Sequence, residues 1–263
     1  MQSLEGIAIK TEKSDKMCLK HNIPMALDRQ GKPFCTECIK EQIKAEKEKQ
    51  VAKFNHDKIV SILRRKSLVD DVNDFDKLFS NFEADKGSKE AQMGNLAYKV
   101  AHELIDNPQK PITALFYGTP GEGKSHLAMS VLNEVNQKSK PPQKCLFVDI
   151  NNLFDAIYHS KDDPTSWWTE YNAIQFLGDV DVLVIDDFGS ESSMRRDATE
   201  ATEFKQKVLK KILDKQRRLI VTTNLTLSQL QQTYSPKIVS RLLSDSRGRR
   251  LDFTGISDKR LEL

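Results

Sequence analysis

The sequence has no apolar run near the roughly 18 to 20 residues that a bilayer crossing requires. Its opening text, MQSLEGIAIKTEK, also lacks the hydrophobic core of a secretory signal. Both absences predict a cytoplasmic protein with no membrane partner. A dominant charge is missing too. The 41 basic and 38 acidic residues leave a net charge of only +3, so any basic surface for nucleic acid must be local. Internal repeats and low-complexity segments are absent, which sets aside repeat arrays and disordered tracts. Hydrophobic residues are a modest 38% against 30% charged, enough for one core of α/β size. A length of 263 residues then allows one large domain or two unequal ones.

Cysteine is scarce but clustered. Of the four, Cys18, Cys35 and Cys38 fall within the first forty residues, and Cys145 stands alone. In a reducing compartment such a cluster suggests metal rather than disulfide. Cys18-Leu-Lys-His21 and Cys35-Thr-Glu-Cys38 each hold two residues between partners, and residues 22–34 separate the pairs. That gap lets both side chains of a pair reach one tetrahedral ion, and three sulfurs with one nitrogen make a closed, structural Zn²⁺ set. The turn at Gly31-Lys-Pro33 would return the second pair to the first. So little apolar sequence would hardly fold without such a staple. Cys145 opens an apolar strand and reads as a core residue. His56 and His102 read as surface or helix-face residues.

From Ile39 to Ser67 there is no glycine or proline, and charges alternate at helical spacing over a thin apolar stripe. This reads as a solvated connecting helix, with a partner-binding helix as the sharper alternative. Residues 1–66 are therefore predicted as a zinc-binding domain with its connecting helix, and 67–91 as a linker. Phe75, Leu78, Phe79 and Phe82 are too many apolar anchors for a free tether and are expected to pack on the domain that follows. That domain, 92–263, begins with an amphipathic helix ended by Asn107–Pro108. Apolar strands at 112–118, 144–150, 180–189 and 218–224 then alternate with helical text. The pattern predicts an α/β fold, a parallel sheet with helices on both faces.

Gly118-Thr-Pro-Gly-Glu-Gly-Lys-Ser125 fits G-x-x-x-x-G-K-[ST] between a strand and a helix. Its glycines permit close backbone approach to a β-phosphate, and the following helix points its positive end at the same oxygens. The candidate nucleotide-binding set is Gly118, Thr119, Pro120, Gly121, Glu122, Gly123, Lys124 and Ser125, with His126 behind them. Lys124 would reach the β/γ-phosphates and the Ser125 hydroxyl would ligate Mg²⁺. Asp186, ending the strand VLVID, is placed to hold the same ion's water shell. Asp187 would orient and deprotonate the attacking water, with Glu191 as a weaker candidate. Asn224, ending the fourth strand, suits contact with the γ-phosphate or that water.

GTPGEGKS, VDVLVIDDFGSE, VTTN and PKIVSRLLSDSR together resemble the bacterial and phage helicase loaders of the DnaI/DnaC type, within the AAA+ ATPases. The DDFGSE ending of the third strand and the cysteine/histidine module ahead of the ATPase resemble the DnaI branch, and FDKLFSNFE is similar to the entry segment of these loaders. The resemblance spans about residues 15 to 255. It implies an ATP-dependent loader that binds a replicative DnaB-family helicase and helps place it on single-stranded DNA. It also implies that Arg241 is an arginine finger reaching a neighbour's γ-phosphate, so the ATP-bound form would be a homo-oligomer. Many AAA+ ATPases carry Glu where this chain has Asp187, and a shorter acid reaches less far. Two other functions remain open: an IstB-like transposition helper ATPase, and a nucleotide-dependent switch or inhibitor of the replication machinery with little hydrolysis. Phe154, Tyr158, Trp167, Trp168 and Tyr171 are either base-stacking or core aromatics. Arg247, Arg249 and Arg250 are either phosphate contacts or a solvated charge run.

Overall fold

The structure, a computed structural model, describes residues 13–192, 199–244 and 246–257. The predicted signal-free start, residues 1–12, lies outside them, as does the end of the ATPase region from 258. Two compact units divide between Asp57 and Lys58.

The first unit is a three-stranded antiparallel sheet of β1 (Lys13–Met17), β2 (Pro24–Leu27) and β3 (Pro33–Phe34), followed by α1 (Thr36–Val60), whose last three residues fall in the second unit. Gly31, at φ +76°, makes the β2–β3 turn, and the Asp28 carboxylate accepts from the backbone of Gln30 and Lys32. α1 buries none of its residues. Its stripe is too thin to specify a packing face, as its polarity predicts.

The sequence boundary at residue 66 and the linker at 67–91 differ from this division. Residues 58–91 belong to the second unit because their apolar side chains enter its core. α2 (Ile62–Lys66) buries Leu63, and a short 3-10 turn, Val72–Asp76, buries Phe75. Phe79 and Phe82 pack against the same cluster. Leu68 even bridges to Val148, at the sheet edge. Asn133 fastens the segment, its side-chain amide donating to the carbonyls of Phe75 (3.0 Å) and Lys77 (2.8 Å). Phe75→Ala should therefore destabilise the ATPase unit by about 3 kcal/mol or more. Denaturant unfolding followed by far-UV circular dichroism checks this; an unchanged midpoint would mean that the segment is dispensable.

α3 (Lys89–Asp106) starts at Ser88, whose hydroxyl accepts from Ala91 N–H, and stops at Asn107. Then come β4 (Ile112–Tyr117), α4 (Lys124–Lys138), β5 (Cys145–Asp149), α5 (Ile150–His159), α6 (Glu170–Asp179) and β6 (Val182–Asp186). α7 (Thr199–Lys215), β7 (Arg218–Thr223), α8 (Leu227–Thr233), α9 (Pro236–Leu243) and β8 (Arg250–Asp252) complete the unit. The sheet order is β5-β6-β7-β4-β8, with every pair parallel. Alternate strand residues serve opposite faces, as the strand period of two requires. Leu115, Leu146, Leu183 and Val221 face one helical layer; Phe116, Phe147, Val184 and Ile220 face the other. This is the predicted α/β fold. Cys145 is fully buried, and burial pushes its thiol up.

β8 is a strand that the sequence reading did not find. Arg249, just before it, is not a solvated charge: its guanidinium donates to the Glu103 carboxylate at 2.6 Å and ties α3 to the sheet edge. Among the described residues no helix is long and apolar enough to cross a membrane.

Candidate functional site

In a parallel sheet the carboxyl ends of the strands and the following loops form the ligand edge. β4 here runs into the Gly118–Ser125 loop, β6 ends at Asp186, β5 at Asp149 and β7 just before Asn224. A cleft of about 530 Å³ lies across them, lined by Pro120, Gly121, Gly123, Lys124, Ser125 and His126 of the loop and helix. Asp149, Asp186, Asp187 and Asn224 form the opposite wall, and Asp70, Asp71, Asp74 and Lys77 its mouth.

The loop has the conformation that its glycines allow. Gly118 and Gly123 sit at φ +151° and +86°. A Cβ on Gly118 would fall 2.8 Å from the Phe253 Cβ, and one on Gly123 2.9 Å from the Phe82 ring. Any side chain at either position would push the loop out of shape. Lys124 is buried and its ammonium donates to the Thr119 carbonyl at 2.6 Å. The Ser125 hydroxyl is close enough to the Asp186 carboxylate to favour its charged form. Of the predicted set, Gly118, Thr119 and Glu122 do not line the cleft. Thr119 donates to the buried Glu122 carboxylate at 2.5 Å, an internal brace of the loop.

Opposite Lys124 the wall is acidic. Burial pushes Asp186 up to about 6, with the Asp187 and Asp149 charges adding to it and the Thr222 and Ser125 hydroxyls opposing. Burial likewise pushes Asp149 up to about 6. Carboxylates crowded in this way favour a cation among them. Ser125 and Asp186 would hold Mg²⁺, and their paired oxygens suit so hard an ion. Asp187 takes a left-handed conformation, φ +57°, a choice that costs a non-glycine residue about 1–3 kcal/mol. The Asn224 amide donates to its carboxylate at 2.7 Å. Sequence reasoning missed Asp149, which is also the N-cap of α5, and the three aspartates at the mouth.

Glu191, the weaker candidate base, is turned away from the cleft. It is buried, accepts from Gly189 N–H at 2.8 Å and from the Tyr234 hydroxyl, and its carboxyl is raised by burial. Asp187→Asn should lower ATP turnover by about a hundredfold or more, whereas Glu191→Gln should leave it within about threefold. Steady-state phosphate release decides between them; the reverse ranking would make Glu191 the base.

Arg241 lies on α9, half exposed and paired with Asp214 at 3.1 Å. It does not line the cleft of its own chain. The five aromatics divide: Phe154 is core, Tyr158 and Trp168 pack partly against it, and Trp167 and Tyr171 are exposed.

In the first unit Cys18, His21, Cys35 and Cys38 converge, their ligand atoms all within 4.8 Å of one another. Cys18 and His21 sit on the turn after β1, Cys35 follows β3, and Cys38 lies in the first turn of α1. The Cys18 and Cys38 sulfurs are 3.7 Å apart, and His21 Nδ1 is 3.7, 3.5 and 3.3 Å from the three sulfurs. A tetrahedron built on Zn–S bonds of about 2.3 Å has edges of about 3.8 Å, so the donor set fits zinc. Hydrogen bonding to the His21 backbone pulls the Cys18 thiol down to about 6, whereas burial raises Cys38 to about 11. Three sulfurs this close cannot all ionise without positive charge among them. The far ring nitrogen of His21 meets the Glu41 carboxylate at 3.1 Å. Such a partner fixes the ring and tautomer of a ligating histidine. Glu41 was legible only as the residue three after Cys38, on the same helix face.

The profile of the bacterial DnaA ATPase domain matches residues 76–245, well over half the chain. The chain belongs to that family. It is 26% identical over 179 residues to the uncharacterized protein YdaV of Escherichia coli K12, spanning 66% of this chain and 64% of that protein. To the replicative helicase loader DnaC of the same strain it is 24% identical over 133 residues, 49% of each chain. The chain thus spans 64% of the one relative and about half of the other. The crystal structure of DnaI matches with a TM-score of 0.53 at 22% identity, covering 76% of this chain and 98% of that one. The fold is the AAA+ fold that the resemblance to DnaC- and DnaI-type proteins implied. Membership makes this a nucleotide-binding ATPase family protein, and the loop and the acidic side chains share one cleft at the carboxyl ends of its strands.

Proposed function

We propose that the protein is an ATP-controlled loader of a replicative DnaB-family helicase, acting during initiation of replication. The observation that carries this is the joining of two parts in one chain. A nucleotide cleft of the DnaA family follows a small unit organised around Cys18, His21, Cys35 and Cys38. That first unit has exposed apolar side chains, among them Met17, Leu19 and Phe54. It is the part proposed to dock on the helicase.

In the cleft Lys124 neutralises charge on the β- and γ-phosphates, while backbone N–H groups of residues 121–125 wrap them. Ser125 and Asp186 hold Mg²⁺, which draws charge from the phosphate oxygens when bound. Asp187, aimed by Asn224, orients the attacking water and accepts its proton. Arg241 of a neighbouring copy supplies positive charge to the γ-phosphate, so hydrolysis is tied to assembly on single-stranded DNA. ATP then acts as a timing signal for release of the loader.

A second reading, a nucleotide-dependent switch with little hydrolysis, draws on Asp187. Its side chain is short, its backbone is left-handed and one carboxylate oxygen is engaged by Asn224. Two measurements on the full chain separate the readings. The loader should be captured by a hexameric DnaB-family helicase in the presence of ATP, and its turnover should rise with helicase and single-stranded DNA. No capture sinks the loader; capture without turnover selects the switch.

A further inference from the structure

The two consecutive acids that end β6 must do different work from adjacent positions, and something must hold them apart. On the neighbouring strand β7, Thr222 is buried, 1% exposed. Its hydroxyl donates to Asp186 Oδ1 at 2.5 Å and accepts from the Asp187 backbone N–H at 2.9 Å. A hydroxyl has one proton and two lone pairs. With the proton committed to Asp186 and a lone pair to Asp187, the group has one orientation. The next residues complete the grip. Phe188 N–H donates to the Thr222 carbonyl at 2.9 Å, and the Thr223 hydroxyl donates to the Phe188 carbonyl at 2.5 Å. Asn224 then takes the Asp187 carboxylate.

We propose that Thr222 is the positioning residue of the hydrolytic centre, its single hydroxyl aiming the Asp186 carboxylate and holding the Asp187 backbone in its left-handed turn. The proposal rests on the ATPase reading given above. Asp187 leaves the strand at φ +57°, a conformation that L-residues adopt only when neighbours hold it. The Thr222–Asp187 bond is such a hold. With one Asp186 oxygen fixed by Thr222, the carboxylate plane is set, and the contact with Ser125 is set with it. Loss of the hydroxyl would free both acids at once while leaving the nucleotide's other contacts in place. The effect therefore belongs to the chemical step and to the cation, not to nucleotide capture.

Thr222→Val keeps the branched shape and removes the hydroxyl; Thr222→Ser keeps the hydroxyl. In the full chain with helicase and single-stranded DNA, Thr222→Val should lower kcat about thirtyfold or more with KM for ATP within about threefold, and Thr222→Ser should stay within about threefold of wild type. A second readout needs no turnover. A fluorescent non-hydrolysable ATP analogue is titrated with Mg²⁺ and with EDTA, and the ratio of the two Kd values should change by about two- to threefold toward one in Thr222→Val. Wild-type kcat in Thr222→Val overturns the inference. So does a parallel loss of kcat and thermal stability that Thr222→Ser shares, which would mark a purely structural hydroxyl. If wild type itself shows no turnover, the ATPase reading fails instead. The Mg²⁺-to-EDTA ratio then decides alone, and an unchanged ratio in Thr222→Val overturns the inference.

Discussion

Lys124→Ala is expected to abolish ATP turnover, by at least about a hundredfold, and to weaken ATP binding, while leaving the fold of both units intact. The reason lies in the charge of the cleft. Six aspartates, at 70, 71, 74, 149, 186 and 187, line it against two lysines, Lys77 and Lys124. Lys77 lies at the mouth, ion-paired with Asp74. Lys124 lines the cleft at the start of α4 and is the cation proposed to meet the transferred phosphoryl group. Without it a polyanion would meet a wall of carboxylates and backbone N–H groups alone, and the charge that develops on the γ-phosphoryl oxygens would lose its partner. The same sign makes metal-free ATP a poor ligand: affinity should drop when EDTA replaces Mg²⁺, in wild type and variant alike. Losing the bond to the Thr119 carbonyl, at 2.6 Å, is expected to cost little folding free energy, because a hydrogen bond nets only about 1 kcal/mol. Phosphate release, nucleotide titration and a thermal melt on the same preparation test all three statements. Turnover that survives Lys124→Ala would remove the phosphate role from this loop.

The residues that could be read in advance share one property: their signal is local in the chain. The loop from Gly118 to Ser125 lies between an apolar strand and a helix, and Asp186 ends a run of aliphatics that only a central parallel strand requires. The four long strands were legible for the same reason. What escaped was brought in from a distance. Asp70, Asp71 and Asp74 belong to text that resembles a polar tether; they line the cleft because Asn133, on α4, holds the Phe75 and Lys77 carbonyls. Asp149 looks like a strand's end, and only its register opposite Asp186 brings it to the wall. Thr222 is one β-branched residue among several in RLIVTT, and nothing in the order of residues marks its hydroxyl as shared between two acids. β8 is three residues with charged ends, Arg250 and Asp252, so it carries no apolar run; its strand character comes from pairing with β4. The boundary between units moved for a related reason. The helical text from Ile39 onward is continuous, but Leu63 is buried whereas Ile43, Val51 and Phe54 are exposed, and burial is a tertiary fact.

Cys35→Ser combined with Cys38→Ser is expected to unfold the first unit and to leave the second unit's ATP binding unchanged. The small unit has almost no core of its own. Among its described residues the buried apolar side chains are Cys18, Ala26 and Cys35, so two of the three are metal-ligand candidates. Three short strands and a helix with no buried residue cannot offset the entropy of ordering the chain, roughly 1–2 kcal/mol per residue for the backbone. Bound zinc contributes on the order of 10 kcal/mol or more in such small domains, which is the missing term. The serines retain a similar size but are poor zinc ligands, so the change acts on coordination rather than on packing. Freshly purified wild type should contain about one zinc per chain, and the variant none. Amide exchange followed by mass spectrometry should show protection lost over residues 13–57 and kept over the sheet. Helicase capture should fail in the variant even though its ATP titration matches wild type, which would place the docking contact in the first unit. Zinc-free wild-type protein would refute the metal centre. Full protection in the double variant would refute its structural role, because a fold that persists without its ligands owes them nothing.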